Sequence, residues 1–139
     1  CDLIGIGVSA IGQIRPLHRQ TYRRLEDYYD RLDMRLIPVM RGLRLSRDDL
    51  LRRAIINGLM CRFEISIEAI QTAYLIDFKL YFEEEIKELK ALQDLGLVVL
   101  DDEWISVTPK GRLLVRNICM VFDKYLRTEQ QNQRYSKVI

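Results

Sequence analysis

The segment between Gly96 and Pro109 constrains the fold of this chain more than any other stretch. It reads "LVVLDDEWISVT", two short runs of β-forming residues on either side of an acidic tip. Gly96 is typical of the residue that ends a helix, and Thr108 followed by proline is typical of a helix start, since proline has no N–H to lose in the first turn. The pattern therefore predicts a β-hairpin enclosed by two helices.

Helix signals recur along the preceding half of the chain. Ser46 and Asp49 form an S-x-x-D start signal, and the apolar residues that follow predict a helix over about 47–61. The short "RFEIS" is β-like, a brief helix over about 66–74 follows, and the apolar spacing of "FKLYFEEEIKELKALQDLG" predicts one longer helix that ends at Gly96. We expect the last helix to run from Thr108 through Leu126.

Residues before Pro38 have a different character. Leucines and tyrosines recur at roughly helical spacing from Pro16 to Met34, which predicts one amphipathic helix there. The opening "DLIGIGVSAIG" has the spacing of a dinucleotide-binding turn, but the acids at the right distance, Glu26 and Asp27, fall inside the helical pattern rather than after a second strand. A dinucleotide site is therefore disfavoured.

The order of elements after Pro38 is that of a winged helix. We therefore expect a mainly α chain with a small β-hairpin (α+β), in which residues 38–139 form a winged-helix-like domain. Nucleic acid is not expected as a partner, because residues 66–77 hold no Lys or Arg and the wing tip is acidic, whereas DNA binding relies on cations that neutralise phosphates. A winged-helix nucleic-acid-binding or protein-interaction module remains the alternative.

Charge is arranged in three blocks although the net charge is only +2. Residues 1–62 hold twelve Lys or Arg against seven Asp or Glu, residues 63–104 three against eleven, and residues 105–139 seven against two. Such blocks indicate a nucleic-acid face, an anionic substrate or an internal electrostatic match. The longest apolar stretches are shorter than the roughly 20 residues that cross a bilayer, so no membrane partner is expected.

The three cysteines suit neither a disulfide framework nor a C-x-x-C metal site. A reducing cytoplasm is the simplest compartment for such a chain. We expect Cys61 and Cys119 to be small buried hydrophobes. The chain begins at Cys1 and is expected to lack its true beginning.

Several long blocks carry a family resemblance. "DLIGIGVSAIG", "RGLRLSRDDLLRRAIINGLMCRF", "VTPKGRLLVRNICMVFDKYLR" and "RYSKVI" resemble the C-terminal part of bacterial oxygen-independent coproporphyrinogen III oxidases, of the radical S-adenosylmethionine class. The resemblance extends over essentially all 139 residues. It implies an enzyme of haem biosynthesis that oxidatively decarboxylates two propionates of coproporphyrinogen III to vinyl groups. In that reading, residues 1–37 are a remnant of the end of the radical enzyme's α/β barrel.

The resemblance also implies cofactors and binding residues. Members use a [4Fe–4S] cluster and S-adenosylmethionine, with the cluster held by a C-x-x-x-C-x-x-C segment that this sequence lacks. The fragment is therefore expected to hold no catalytic residue, no metal and no cofactor of its own, and to be inactive alone. The isoleucine of "VSAI", which is Ile11 here, contacts a second S-adenosylmethionine molecule in the family.

Several other charged residues have a predicted place in the fold or the site. Arg41 is a candidate to pair with a substrate propionate, since a guanidinium fork suits a carboxylate, although a pair with an acid of the middle block is favoured. His18 is expected on a solvated helix face. Asp48 and Asp49 are expected in the first turn of a helix rather than in acid–base chemistry. The wing-tip acids Asp101, Asp102 and Glu103 are expected to form a solvated turn with no metal.

Residues 1–14 read as a nearly continuous apolar run, typical of a strand covered on both sides. We expect this segment to lack a partner strand within the chain. It would then pair with a second copy of the chain, or fold back where the whole enzyme does not place it. Self-association through residues 1–34 follows as an expectation, with the basic segment 15–35 against the acidic block of the second copy.

Overall fold

The structure, a computed structural model, describes residues 2–127 of the chain. Cys1 and the closing "RYSKVI" lie outside the described residues. The chain divides into two compact units, Cys1–Leu50 and Leu51–Ile139. The architecture mixes helices with two small antiparallel sheets, one in each unit.

The first unit is built on a three-stranded antiparallel sheet. Its strands are β1 (Ile11–Ile14), β2 (Leu17–Thr21) and β3 (Val39–Arg44), in that spatial order, and helix α1 (Leu25–Asp33) connects the last two. The predicted single helix from Pro16 to Met34 is therefore wrong in its first part, which forms β2. The Leu and Tyr spacing fits a helix, but β2 has a strand on each side to pair with, and this non-local pairing decides its conformation.

The N-terminal segment has partners inside the chain. Strand β1 pairs with β2 from Ile11↔Gln20 to Ile14↔Leu17, and Leu3 forms a bridge with Gln13 on the other side of β1. The hydroxyl of Thr21 donates to the carbonyl of Gly7 at 2.7 Å, which holds the glycine-rich loop to the end of β2. The expectation that residues 1–14 lack a partner strand within the chain is therefore wrong.

Helix α2 (Arg47–Arg62) matches the predicted helix closely. Its start is the predicted capping box: the Asp49 N–H donates to Ser46 Oγ at 3.2 Å, and Asp49 Oδ2 accepts from the Ser46 N–H at 2.8 Å. This reciprocal bonding satisfies N–H groups that have no partner within the helix.

The second unit follows the predicted order of elements. After α2 come β4 (Glu64–Ser66), α3 (Ile67–Tyr74), α4 (Phe78–Tyr81), α5 (Glu83–Asp94), β5 (Val98–Leu100), β6 (Trp104–Val107), a 3₁₀ turn (Gly111–Leu114) and α6 (Val115–Met120). The predicted hairpin is confirmed as the antiparallel pair β5–β6, and β4 joins its other side to give the order β4-β6-β5. Ser66 caps α3 by accepting from the Ala69 N–H.

Two predicted helices are interrupted. The long helix breaks at Phe82, whose ring is wholly buried against Phe78 and Phe122, at centroid distances of 4.8 Å and 5.5 Å. The last helix begins with the 3₁₀ turn, where Thr108 Oγ1 accepts from the Gly111 N–H, and α6 ends at Met120. Phe82 lies at the break between α4 and α5, and Phe122 lies just after the end of α6. The two rings pack against each other, so both predicted helices are interrupted at the same aromatic cluster.

The apolar core lies in the second unit. Its largest fully buried side chains come from every helix from α2 to α6 except α3, from all three strands, and from the Phe82 and Phe122 junctions; they are Phe78, Phe82, Phe122, Leu51, Ile55, Leu59, Ile65, Leu89, Ile105, Ile118 and Val98. By contrast, residues 2–50 bury no aliphatic or aromatic side chain apart from Pro38. Among the described helices, none is long and apolar enough to cross a membrane.

Candidate functional site

The candidate site is an open pocket on the sheet of the first unit. Its volume is about 350 Å³, and its walls come from all three strands: Ile11, His18, Arg19, Gln20, Arg41, Gly42 and Leu43. The pocket thus contains Ile11 and Arg41, the two residues proposed from the sequence to contact the cofactor and the substrate. They are 30 positions apart in the sequence and are brought together by strand pairing.

The strand register sets Ile11, Gln20 and Arg41 in one row across the sheet. Ile11 is the pairing partner of Gln20, and Gln20 is the partner of Arg41. Directly paired residues project from the same face of an antiparallel sheet. Ile11 is 59% exposed, which is high for an isoleucine and makes its side chain accessible from the pocket.

Arg41 makes a side-chain hydrogen bond within this row. Its Nε donates to Gln20 Oε1 at 2.9 Å, and within residues 2–50 its terminal nitrogens have no hydrogen bond or ion pair. The favoured expectation, a pair between Arg41 and an acid of the middle block, stays a prediction, because that block belongs to the second unit. Within the first unit the partner of Arg41 is a neutral amide rather than a carboxylate.

His18 and Arg19 occupy adjacent positions of β2. The expectation of a helical setting for His18 is wrong, because it lies on a strand, opposite Gln13 on one side and Leu43 on the other. Arg19 pairs with Gly12 and Gly42, and its Nε lies 3.0 Å from the point where a Cβ on Gly12 would sit. This Nε is buried without a hydrogen-bond partner, and a Cβ at position 12 would require its neighbours to shift by a few tenths of an ångström.

The cysteines do not fit an iron–sulfur cluster. Cys119 is buried as expected, and burial raises the pKa of its thiol to about 11, which disfavours the thiolate that an iron ligand must be. Cys61 is exposed, so its predicted burial is wrong. Within residues 2–127 there is no group of three His, Cys, Asp or Glu side chains close enough to hold a metal ion. We therefore assign no cluster ligand to this part of the chain.

The acids at the other nominated positions have local partners. Asp48 and Asp49 lie in the first turn of α2, as predicted. At the tip of the β5–β6 hairpin, Asp101 Oδ1 accepts from the backbone N–H groups of Glu103 and Trp104. Asp102 contacts Lys79 at 2.6 Å, and this hydrogen bond lowers the pKa of the carboxyl and raises that of the ammonium.

Gln20 lies in the pocket but was not predicted from the sequence as a site residue. It belongs to "LHRQT", which the helical interpretation assigned to a helix face. Pro16, two residues after the apolar Ile14, was an available turn signal.

Comparisons with known proteins give a consistent result. The family model described as the HemN C-terminal domain matches residues 45–114. Oxygen-independent coproporphyrinogen III oxidase from Pseudomonas aeruginosa is 46% identical over 139 residues, which is all of this chain and 30% of that protein. The enzyme of the same name from Escherichia coli is 44% identical over 138 residues, 99% of this chain and 30% of its own length.

A solved structure gives the same result for the fold. The chain superimposes on coproporphyrinogen III oxidase (HemN) from Escherichia coli, described as a radical SAM enzyme, with a TM-score of 0.86 at 44% identity. The match covers 89% of this chain and 29% of that one. The chain therefore spans about 30% of the length of the curated relatives it matches.

Proposed function

The chain belongs to the HemN C-terminal domain family, and we propose that it acts as the C-terminal part of an oxygen-independent coproporphyrinogen III oxidase. The proposed reaction is that of the relatives' name: oxidative decarboxylation of two propionates of coproporphyrinogen III to vinyl groups, with loss of two molecules of carbon dioxide. By itself this chain is proposed to be inactive.

One contrast between the two units carries the proposal. The described part of the second unit, residues 51–127, buries sixteen apolar residues, whereas residues 2–50 bury only Pro38 among their aliphatic and aromatic side chains and leave Ile4, Ile6 and Ile37 more than 60% exposed. A folded segment with so much apolar surface is typical of one that another part of the protein covers. We propose that residues 1–37 are the end of a radical SAM barrel, and that residues 38–139 form a winged-helix-like cap.

Two residues of the pocket have proposed roles. The exposed side chain of Ile11 would contact S-adenosylmethionine, and the guanidinium of Arg41 would bind a carboxylate of the substrate. When bound in the complete enzyme, the [4Fe–4S] cluster and S-adenosylmethionine supply the radical that abstracts hydrogen from the propionate. The residues of this chain bind and orient; the cluster ligands are proposed to lie in the portion of the protein that precedes it.

The charges of the second unit argue against a nucleic-acid partner. Helix α3 has no Lys or Arg, helix α5, which directly precedes the hairpin, holds five acids against two lysines, and the hairpin tip holds three acids. The free thiols Cys61 and Cys119 support a reducing, cytoplasmic compartment as part of the same proposal.

An anaerobic activity assay tests the proposed function. A full-length protein that contains this chain should convert coproporphyrinogen III to protoporphyrinogen IX in the presence of S-adenosylmethionine and a reductant. The present chain alone, assayed in parallel, should give no product. The proposal is wrong if the full-length protein forms no vinyl product, and the proposed inactivity is wrong if the chain alone does.

A further inference from the structure

We propose that Gln20 is a positioning residue, which holds Arg41 so that its guanidinium receives a carboxylate at one end of the pocket. The inference rests on the proposed function for the identity of the ligand and deepens it. Two ligands of that reaction carry the required chemistry: the propionates of the tetrapyrrole and the amino-acid carboxylate of S-adenosylmethionine. The geometry of the row defines the group that binds, and the experiment below identifies its source.

The hydrogen bond from Arg41 to Gln20 fixes one edge of the guanidinium. The bond uses Nε, at 2.9 Å from Gln20 Oε1, and leaves the two terminal nitrogens of Arg41 available. Those nitrogens present parallel N–H donors, the arrangement that donates to both oxygens of a carboxylate. Without the bond, Arg41 would be a long side chain on an exposed strand with many rotamers, and binding would have to order it.

The neutral character of Gln20 is essential to this role. A carboxylate at position 20 would hold Arg41 in the same place but would compensate its charge and occupy it as an ion pair. Within the first unit, residues 2–50, Arg41 has no acidic partner. The amide therefore orients the cation and leaves its charge for an incoming anion.

The row also defines two kinds of contact for one ligand. Ile11 and Arg41 lie on the two strands that flank β2, so their backbones are about 10 Å apart at the usual spacing of about 4.8 Å between strands. A ligand that contacts both side chains must carry an apolar part and a carboxylate. S-adenosylmethionine and a porphyrinogen with propionate side chains both meet this requirement.

The test measures binding in the full-length protein, so that it does not depend on turnover. Coproporphyrin III, the oxidised and stable form of the tetrapyrrole, and S-adenosylhomocysteine, which keeps the amino-acid carboxylate, are titrated separately. The variants are Arg41→Gln, Gln20→Leu and Gln20→Glu. Arg44→Gln is the matched control, because Arg44 lies on the same strand but projects from the opposite face.

We expect Arg41→Gln and Gln20→Glu to weaken binding of one of the two ligands by about tenfold or more, as for loss of a charge-assisted contact. Gln20→Leu should weaken the same ligand, and adding it to Arg41→Gln should cause no further loss, since Gln20 acts through Arg41. Weaker porphyrin binding identifies a propionate, and weaker S-adenosylhomocysteine binding identifies the amino-acid carboxylate. Arg44→Gln should leave both affinities unchanged.

The Gln20→Glu variant separates positioning from simple structural support. It retains the acceptor of the hydrogen bond, so a merely structural Gln20 would tolerate it with full affinity and an unchanged unfolding temperature. The inference is overturned if Gln20→Glu binds both ligands like the unsubstituted protein, or if Arg41→Gln does. Failure of the unsubstituted protein to turn over would contradict the proposed function alone, because the two titrations still report on the carboxylate site.

Discussion

Arg52 Nη1 lies 2.8 Å from Glu85 Oε1, in an ion pair whose side chains are only 15% and 5% exposed. The same Arg52 nitrogen donates to the carbonyl of Phe122, and the guanidinium of Arg127 approaches Glu85 from another side at 3.4 Å. Arg52 of the first charge block and Arg127 of the third therefore contact Glu85, a buried acid of the middle block. At this point the three charge blocks form an internal electrostatic match, one of the three interpretations that the sequence left open.

Glu85→Ala should destabilise the second unit strongly. It leaves the buried guanidinium of Arg52 without its carboxylate, a change that typically costs about 3–5 kcal/mol. Urea unfolding followed by circular dichroism measures the loss. Glu84→Gln is the matched control, because Glu84 is a neighbour on the same helix whose partner Lys87 is exposed, and it should change stability little. A Glu85→Ala protein as stable as this control would contradict the prediction.

Gly111→Ala should also destabilise the second unit. A Cβ at this position would overlap the carbonyl of Leu97, which already accepts a hydrogen bond from the Thr108 N–H. Because a bonded backbone cannot move aside cheaply, we expect a loss of about 1–3 kcal/mol. Leu113→Ala, in the same 3₁₀ turn but 90% exposed, should have a much smaller effect in the same denaturation experiment. Equal effects of the two substitutions would show that the close approach at Gly111 is not limiting.

Alkaline pH should destabilise the chain through Cys119. Burial raises the pKa of this thiol to about 11, above its ordinary value, so the unfolded chain loses the proton at lower pH than the folded one. The free energy of unfolding should therefore fall as pH rises from about 9 to 11, by up to about 2 kcal/mol. Comparison with Cys119→Ala isolates the effect, since that variant should lose less stability over the same range. Parallel curves for the two proteins would refute the assignment.

Residues 40–127 should fold as an independent piece. All of the core side chains lie between positions 51 and 122, and the capping box of α2 begins at Ser46, so this segment contains its own helix start and its own core. Limited proteolysis of the whole chain should leave a resistant fragment of about this size, identified by mass spectrometry. Digestion to small peptides without such a fragment would count against independent folding.

The isolated chain should self-associate through residues 1–34, where apolar side chains are exposed. Light scattering at several concentrations should show a mass that rises for the whole chain and stays monomeric for a version that begins at about Pro38. The contrast isolates the first residues, because both proteins contain the second unit. Two monomers at all concentrations would contradict the prediction.

Local chemistry made much of the second unit predictable. The capping box at Ser46 and Asp49, the helix stop at Gly96 and the Thr108 start depend on residues within a few positions of one another, and each is present as predicted. These signals act through the backbone groups of their own turn, so they keep their meaning outside the fold. The acidic tip of the β5–β6 hairpin and the lack of cations on α3 were likewise predictable from the sequence.

Tertiary structure decided what depends on distant partners. The segment at 17–21 carries helix-like spacing, yet it is a strand because β1 and β3 pair with it on both sides. Phe82 interrupts a continuous helical pattern because its ring packs against Phe78 and Phe122. The pocket is the clearest case. Ile11 and Arg41 were each predicted from the sequence as binding residues, but only the strand pairing shows that Gln20 lies between them. Local propensities are worth tenths of a kcal/mol per residue, and the burial and pairing of distant residues outweigh them.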